Sequence, residues 1–257
     1  MALPHNIRMR GSASSPFAPN GGQPELGAML LGKVTRTVVL FALTLLLAML
    51  PGAETTAVGK NRKQNQKLLA QERLELEQLL SDLGYWTGSI DGTVDPASRH
   101  ALVAFQKVEG RPRTGQPNRS ELEALRRAGK PLPKHSGYPH VEIDIGRQVL
   151  FVVSADDSIT HILPVCTGNE QIYMDHGQVH RAHTPKGQFK VLRQIAGWRK
   201  SSLGLLYYPS YIHEGIAIHG SLAVATEPAS HGCIRIPMFA ARKLSEMTAV
   251  GTDVVVY

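Results

Sequence analysis

The stretch Ala229-Ser230-His231-Gly232-Cys233-Ile234-Arg235-Ile236-Pro237, preceded by Ile218-His219-Gly220-Ser221, carries the densest chemistry in the chain. A thiol attacks a carbonyl only as thiolate, so Cys233 needs a neighbouring base or a positive field. Histidine suits that task because its ordinary pKa lies near neutrality. Two are at hand: His219, fourteen residues before Cys233, and His231, two residues before it. The run Ile216 to His219 predicts a strand, which would let His219 meet a cysteine delivered by the following loop. Gly232 permits close backbone approach. Successive amides from Ser230 through Cys233 are expected to form an anion-binding concavity, an oxyanion hole if it lies beside the thiol. Arg235 is read as a grip for a substrate carboxylate or an anchor of the loop. Gly220 and Ser221, beside His219, are read as substrate contacts. A cysteine alone is more often inert packing. The conjunction of these residues is what points to nucleophilic catalysis.

The texture from Pro139 to Tyr257 is that of strands: Val141 to Ile145, Val149 to Val153, Ile162 to Val165, Gln188 to Leu192 and Val254 to Tyr257. One helix interrupts them, Pro237 to about Met247, with Ala240, Leu244 and Met247 on one face. A mostly-β domain with one main helix is expected over residues 139–257. Cys166, in Pro164-Val165-Cys166-Thr167-Gly168, has no basic neighbours and reads as a packed spectator; a disulfide with Cys233 stays open. His176, His180 and His183 crowd one segment that reads as a mobile loop over the cleft. No carboxylate or cysteine completes a ligand set there, so neither a metal nor a cofactor is assigned.

Residues 68–130 have a helical pattern instead. Leu69, Leu76, Leu80 and Leu83 predict one apolar face, and Gly84 ends that helix. Asp95 followed by Pro96 predicts the cap of a second helix, with Ala101, Leu102 and Phe105 on its buried face. Asn118 and Glu121 stand at capping-box spacing for a third, ending at Gly129. Residues 131–138, with Lys130-Pro131-Leu132-Pro133-Lys134 leading in, read as a stiff linker. The fold class is therefore α+β: a small three-helix domain, then the mostly-β domain.

Upstream, residues 1–58 read as a disordered head and a signal peptide. Lys33 and Arg36 precede an apolar run from Val38 to Leu50, of signal length and short for a membrane span. Met29 would be a more usual start for such a signal. Residues 59–67 form a basic linker. Export to the cell envelope is expected, with a membrane tether if the signal is uncleaved. The 257 residues carry 42% hydrophobic content and a net charge of +7, which describe a globular protein with an affinity for anionic surroundings. Two cysteines exclude a disulfide scaffold and a four-cysteine zinc site. No zinc-finger spacing or aromatic–basic stripe points to nucleic acid.

The His219-Gly220 and Ser230-His231-Gly232-Cys233-Ile234-Arg235 segments resemble the signature of the L,D-transpeptidase catalytic domain of the YkuD type. Thr184-Pro185-Lys186-Gly187-Gln188-Phe189 resembles that family's segment before a strand. The resemblance implies that Cys233 is acylated, that His219 shuttles the proton, and that amides near His231, Gly232 and Cys233 hold the oxyanion. It implies a peptidoglycan stem tetrapeptide as donor, cut between an L-centre diamino acid and terminal D-alanine, and another stem's amine as acceptor. An L,D-carboxypeptidase of the same fold, an inactive wall-binding protein and a cytosolic thiol protease are the alternatives. Leu83-Gly84-Tyr85-Trp86, Ile90-Asp91-Gly92 and Ala101 to Gln106 resemble the three-helix peptidoglycan-binding domain. That resemblance implies glycan strands as its partner, with Tyr85, Trp86 and Asp91 as the wall-binding candidates.

Overall fold

A computed structural model describes residues 67–257. The expected signal segment and residues 59–66 of the basic linker lie outside the described residues. Three helices come first: α1 (Ala70–Asp82), α2 (Pro96–Val108) and α3 (Arg119–Arg127). Asp95 caps α2 by accepting the Ser98 amide at 2.8 Å, with Pro96 at the first helical position, as its sequence predicts. Asn118 caps α3 through the Glu121 amide at 3.0 Å. The Glu121 side chain does not close a capping box; it pairs with Arg111 at 3.0 Å, and α3 ends at Arg127 with Ala128 as its cap. Leu69 is corrected too. It precedes α1 as its N-cap and is 68% exposed, whereas Leu76 and Leu80 are buried.

Twelve strands follow among the described residues. They are β1 (His140–Asp144), β2 (Val149–Val153), β3 (Ile159–Pro164), β4 (Ile172–Asp175), β5 (Gln178–Arg181) and β6 (Gly187–Lys190). The second half holds β7 (Arg193–Gln194), β8 (Trp198–Ser201), β9 (Gly204–His213), β10 (Ile216–Ser221) and β11 (Ile234–Pro237). Helix α4 (Met238–Met247) then leads to β12 (Asp253–Val256). The fold is α+β, as expected. One sheet has the order β3-β2-β1-β12-β6, with β1 and β12 parallel. A second has the order β11-β10-β9-β7, with β10 and β11 parallel and β8 pairing on β9.

The alternation along β2 explains how the layers assemble. Leu150 faces inward with Val141, Ile143 and Leu163, meeting Ile212, Ile218, Ile234 and Ile236 of the second sheet and Leu244 of α4. Val149, Phe151 and Val153 face the other way, into a core shared with Leu76, Leu80, Leu102 and Phe105 of the helices. Each such apolar side chain stabilises the fold by roughly 1.5–3 kcal/mol. A handful of them rivals the net stability of a whole domain, so helices and sheet stabilise one another. Backbone joins them as well: Ile162 donates to the Gly84 carbonyl at 2.8 Å, and Trp86 donates to Ile162 at 3.1 Å.

The least expected tie is Lys107 of α2. Its buried Nζ donates to the Val165 carbonyl at 2.8 Å and the Gln148 carbonyl at 3.0 Å. Burial pushes this ammonium down to about 7; Arg113 adds to the effect, while Cys166 and Glu227 oppose it. Gln148 passes the connection on, since its amide clasps Thr167 through both Oγ1 (2.6 Å) and N (2.9 Å). The Thr167 carbonyl then receives the Ala229 and Ser230 amides at 3.0 and 2.9 Å. The helices are thereby wired to the segment that carries Cys233.

Candidate active site

The cleft of about 840 Å³ opens on the second sheet and is lined by His219, Cys233, Arg235, Tyr211 and Trp198, among others. Register explains why the candidate residues share this cleft. Ile218 pairs with Ile234 and His219 with Arg235 across parallel strands β10 and β11. The isoleucines enter the inner core, so His219 and Arg235 face the other side, into the cleft. Cys233 lies just before β11, packed with Ala217, Leu206 and Tyr211, its Sγ 3.7 Å from the Gly215 carbonyl.

Burial pushes the Cys233 thiol up, against the opposing pull of the Ala217 amide and Arg235. Burial likewise pushes His219 down, helped by Arg235 and opposed by the Gly220 carbonyl. Both groups are therefore neutral near pH 7. His219 Nδ1 donates to the Gly220 carbonyl at 2.9 Å, which leaves Nε2 as the basic nitrogen. The Arg235 guanidinium has no carboxylate partner among the described residues.

The loop before Cys233 is held from within. Ser230 Oγ donates to the Cys233 carbonyl at 2.6 Å and accepts the Gly232 amide at 3.0 Å. Thr184 Oγ1 donates to the Gly232 carbonyl at 2.6 Å and accepts the Gly168 amide at 2.9 Å. Gly232 has φ +130°, and a Cβ there would lie 2.7 Å from the His183 carbonyl, so no other residue fits. The expected amide concavity is corrected in detail. The Ser230 amide is taken by Thr167 and the Gly232 amide by Ser230 Oγ. Among the described residues, the His231 and Cys233 amides have no protein acceptor and are the ones left for an oxyanion.

Other candidates land elsewhere. Gly220 is buried and does not line the cleft; a Cβ there would lie 2.6 Å from Ala241 Cβ, so it is a packing glycine against α4. Ser221 lines the cleft with its Oγ turned back on Ala223. His231 packs on Tyr173, ring centroids 4.6 Å apart. The expected mobile histidine loop is the hairpin β4–β5, which turns through His176 and Gly177, both at positive φ. His176 is exposed, His180 stacks on Tyr173 and His183 pairs with Glu170 at 2.8 Å. Cys166 is buried and free, bridged by backbone to Arg235.

Of the proposed wall contacts, Tyr85 is 2% exposed and meets Phe105 edge-on, so it offers no face to a sugar. Trp86 is half-buried against His161 and Phe239, and Asp91 caps the Thr93 amide at 2.8 Å. The loop Ile90-Asp91-Gly92 is shaped by a residue the sequence reading missed. Buried Glu77 accepts the Gly92 and Asp91 amides and the Ser98 hydroxyl, at 2.8, 3.1 and 2.6 Å. Tyr173 and Trp198 on the cleft walls were missed too, because their short strands lack an apolar alternation.

Residues 138–256 match the family described as L,D-transpeptidase catalytic domain (YkuD). Residues 70–125 match one described as "Putative peptidoglycan binding domain". The crystal structure of an L,D-transpeptidase from Xylanimonas cellulosilytica is 36% identical with a TM-score of 0.69, covering 76% of this chain and 96% of that one. One from Stackebrandtia nassauensis is 24% identical with the same coverage, at a TM-score of 0.43. A Synechococcus elongatus protein named "Putative OxPP cycle protein OpcA" is 33% identical over 107 residues, 41% of this chain. The chain spans 23% of that relative's length.

Proposed function

Because the chain belongs to the L,D-transpeptidase family of the YkuD type, we propose that it crosslinks peptidoglycan stem peptides through a thioester on Cys233. The observation that carries this reading is the arrival of His219 and Arg235 on one face of β10–β11, with Cys233 just before β11, in one cleft. In this account His219 Nε2 takes the thiol proton as Sγ attacks the carbonyl that links the L-centre diamino acid to D-alanine. The oxyanion formed is received by the His231 and Cys233 amides. Collapse breaks the carbon–nitrogen bond, and His219 returns the proton to the leaving D-alanine amine. An acceptor amine then attacks the thioester, gives its proton to His219 and releases Cys233. Arg235 is read as the grip for a substrate carboxylate.

The partners proposed are donor and acceptor stem peptides in the cleft and glycan strands at the helical region, with no nucleic acid. Export to the envelope is proposed from Lys33, Arg36 and the apolar run from Val38 to Leu50. Transfer and hydrolysis share the thioester, so products decide between them. A tetrapeptide donor with a diamino-acid acceptor is expected to give mainly crosslinked dimer, separated by chromatography and identified by mass. Tripeptide without dimer at saturating acceptor would establish a carboxypeptidase instead. Efficient use of a pentapeptide ending in D-Ala-D-Ala would remove the L,D assignment.

A further inference from the structure

We propose that His135, His140 and Glu142 form a divalent-cation site of the zinc class, remote from the cleft, that clamps the interdomain linker onto β1. None of the three lines the cleft. His140 and Glu142 alternate onto one face of β1 and their side chains are fully buried, while His135 reaches over from the linker with its side chain 31% exposed. One ligand atom from each lies within 4.8 Å of the others.

Proton accounting is what separates this cluster from an ordinary hydrogen-bonded one. His140 Nδ1 lies 2.7 Å from the Tyr138 carbonyl, a pure acceptor, so Nδ1 carries a proton. In the neutral ring Nε2 then has only a lone pair, yet it lies 3.1 Å from Glu142 Oε1. His135 Nδ1 lies 3.1 Å from that same oxygen, which already accepts the His135 amide at 2.6 Å. On the far side of the carboxylate, Oε2 accepts the Lys134 amide at 3.0 Å and the Tyr257 hydroxyl at 3.1 Å. Donors of this kind favour the carboxylate anion. The lone pair of His140 Nε2 thus faces an anionic oxygen in a buried place, with His135 Nδ1 against the same oxygen, and the arrangement calls for a positive charge among the three groups.

A zinc ion satisfies that requirement. With metal–ligand distances of roughly 2.0–2.2 Å, tetrahedral ligands stand about 3.3 Å apart. The two nitrogen–oxygen separations of 3.1 Å are close to this. Two imidazoles and one carboxylate suit zinc among divalent ions, with water in the fourth position on the exposed His135 side. The surroundings also fit. A metal-bound histidine commonly donates its other N–H to a backbone carbonyl, as His140 does to Tyr138, and the ligating carboxylate is itself hydrogen-bonded, here by Tyr257 and Lys134.

The test uses the full chain carrying Cys233→Ser, so that the reactive thiol cannot hold metal, after stripping with chelator. Zinc is titrated against a chromophoric competitor, and cobalt is added separately for its tetrahedral absorption bands. One equivalent of zinc, a tetrahedral cobalt spectrum and a raised Tm are expected, with zinc affinity at least tenfold weaker in His135→Gln. His135 is partly exposed, so that variant is expected to fold, which far-UV circular dichroism checks. Glu142→Gln gives a second reading of the same loss. No zinc binding would overturn the proposal and leave a protonated imidazole–carboxylate staple. Equal binding by parent and His135→Gln would also overturn it, placing the metal elsewhere.

Discussion

Replacing Lys107 with Met tests whether the helices and the catalytic sheet are joined through a buried amine. Met keeps the length of the side chain and removes its donors. The Gln148 carbonyl still has the Val165 amide at 2.9 Å, but the Val165 carbonyl loses the 2.8 Å bond from Nζ. Leaving it buried and unpaired costs about 1–3 kcal/mol. The pH dependence is more diagnostic. Lys107 is held down to about 7 in the folded protein, against about 10.4 in an unfolded chain. Between those values the unfolded state binds more protons, so stability rises with pH. At about 1.36 kcal/mol per unit, the wild type should gain about 2–3 kcal/mol over Lys107→Met between pH 7 and pH 9. Below pH 7 the cost of burying the charge is fully present and the gap between the proteins is smallest. Urea unfolding of both proteins at pH 6, 7, 8 and 9 and fixed ionic strength measures this, because other titrating groups cancel in the difference. Parallel profiles, with a gap that changes by less than about 0.5 kcal/mol, would refute a buried, depressed Lys107.

Two further outcomes follow from the site. On the proposed mechanism, with His219 held below its ordinary pKa and Cys233 above its own, the form that reacts would be the neutral pair. The acylation rate should rise through an apparent pKa below about 6.5 and stay flat to about pH 8; stopped-flow rates that climb only as free thiol ionises, near pH 8–9, would show a preformed thiolate instead. Thr184→Val keeps shape but orphans the buried Gly168 amide and Gly232 carbonyl. A loss of about 2–5 kcal/mol is expected in chemical denaturation, and a loss under about 1 kcal/mol would mean the loop is held by other contacts.

Much of this was legible where a local signal coincides with its tertiary role. Asp95-Pro96 and Asn118 announce helix starts because a cap is satisfied within three residues. Val149 to Val153 reads as a strand, and its bounds agree with β2. What that run could not say is that its second face is covered by helices, since both faces are apolar. Strand β9 was missed because Leu205-Leu206-Tyr207-Tyr208-Pro209 has no alternation and contains a proline. The β4–β5 hairpin is exposed along β5, so no buried face imposes a pattern. Gly220 and Gly232 look alike in sequence beside a histidine. Only packing shows that one admits α4 and the other admits the His183 carbonyl. Tyr85 looked like a sugar platform for the same reason. An aromatic in a turn has no sequence mark that tells a ligand surface from a core.

The candidate site residues cluster in sequence, but the residues that support them do not. Thr167, Gln148 and Lys107 support the Cys233 loop through bonds that span up to 58 residues, and no periodicity records such a chain.

The central claim is that Cys233, and not Cys166, takes the acyl group. Intact-protein mass spectrometry of wild type, Cys233→Ala and Cys166→Ala after exposure to a stem tetrapeptide, or to a carbapenem as a trapping acyl donor, addresses it directly. Peptide mapping of the modified chain then locates the added mass. The adduct should form on wild type and Cys166→Ala, map to the segment holding Cys233, and be absent from Cys233→Ala. An adduct that persists in Cys233→Ala and vanishes in Cys166→Ala would contradict the account.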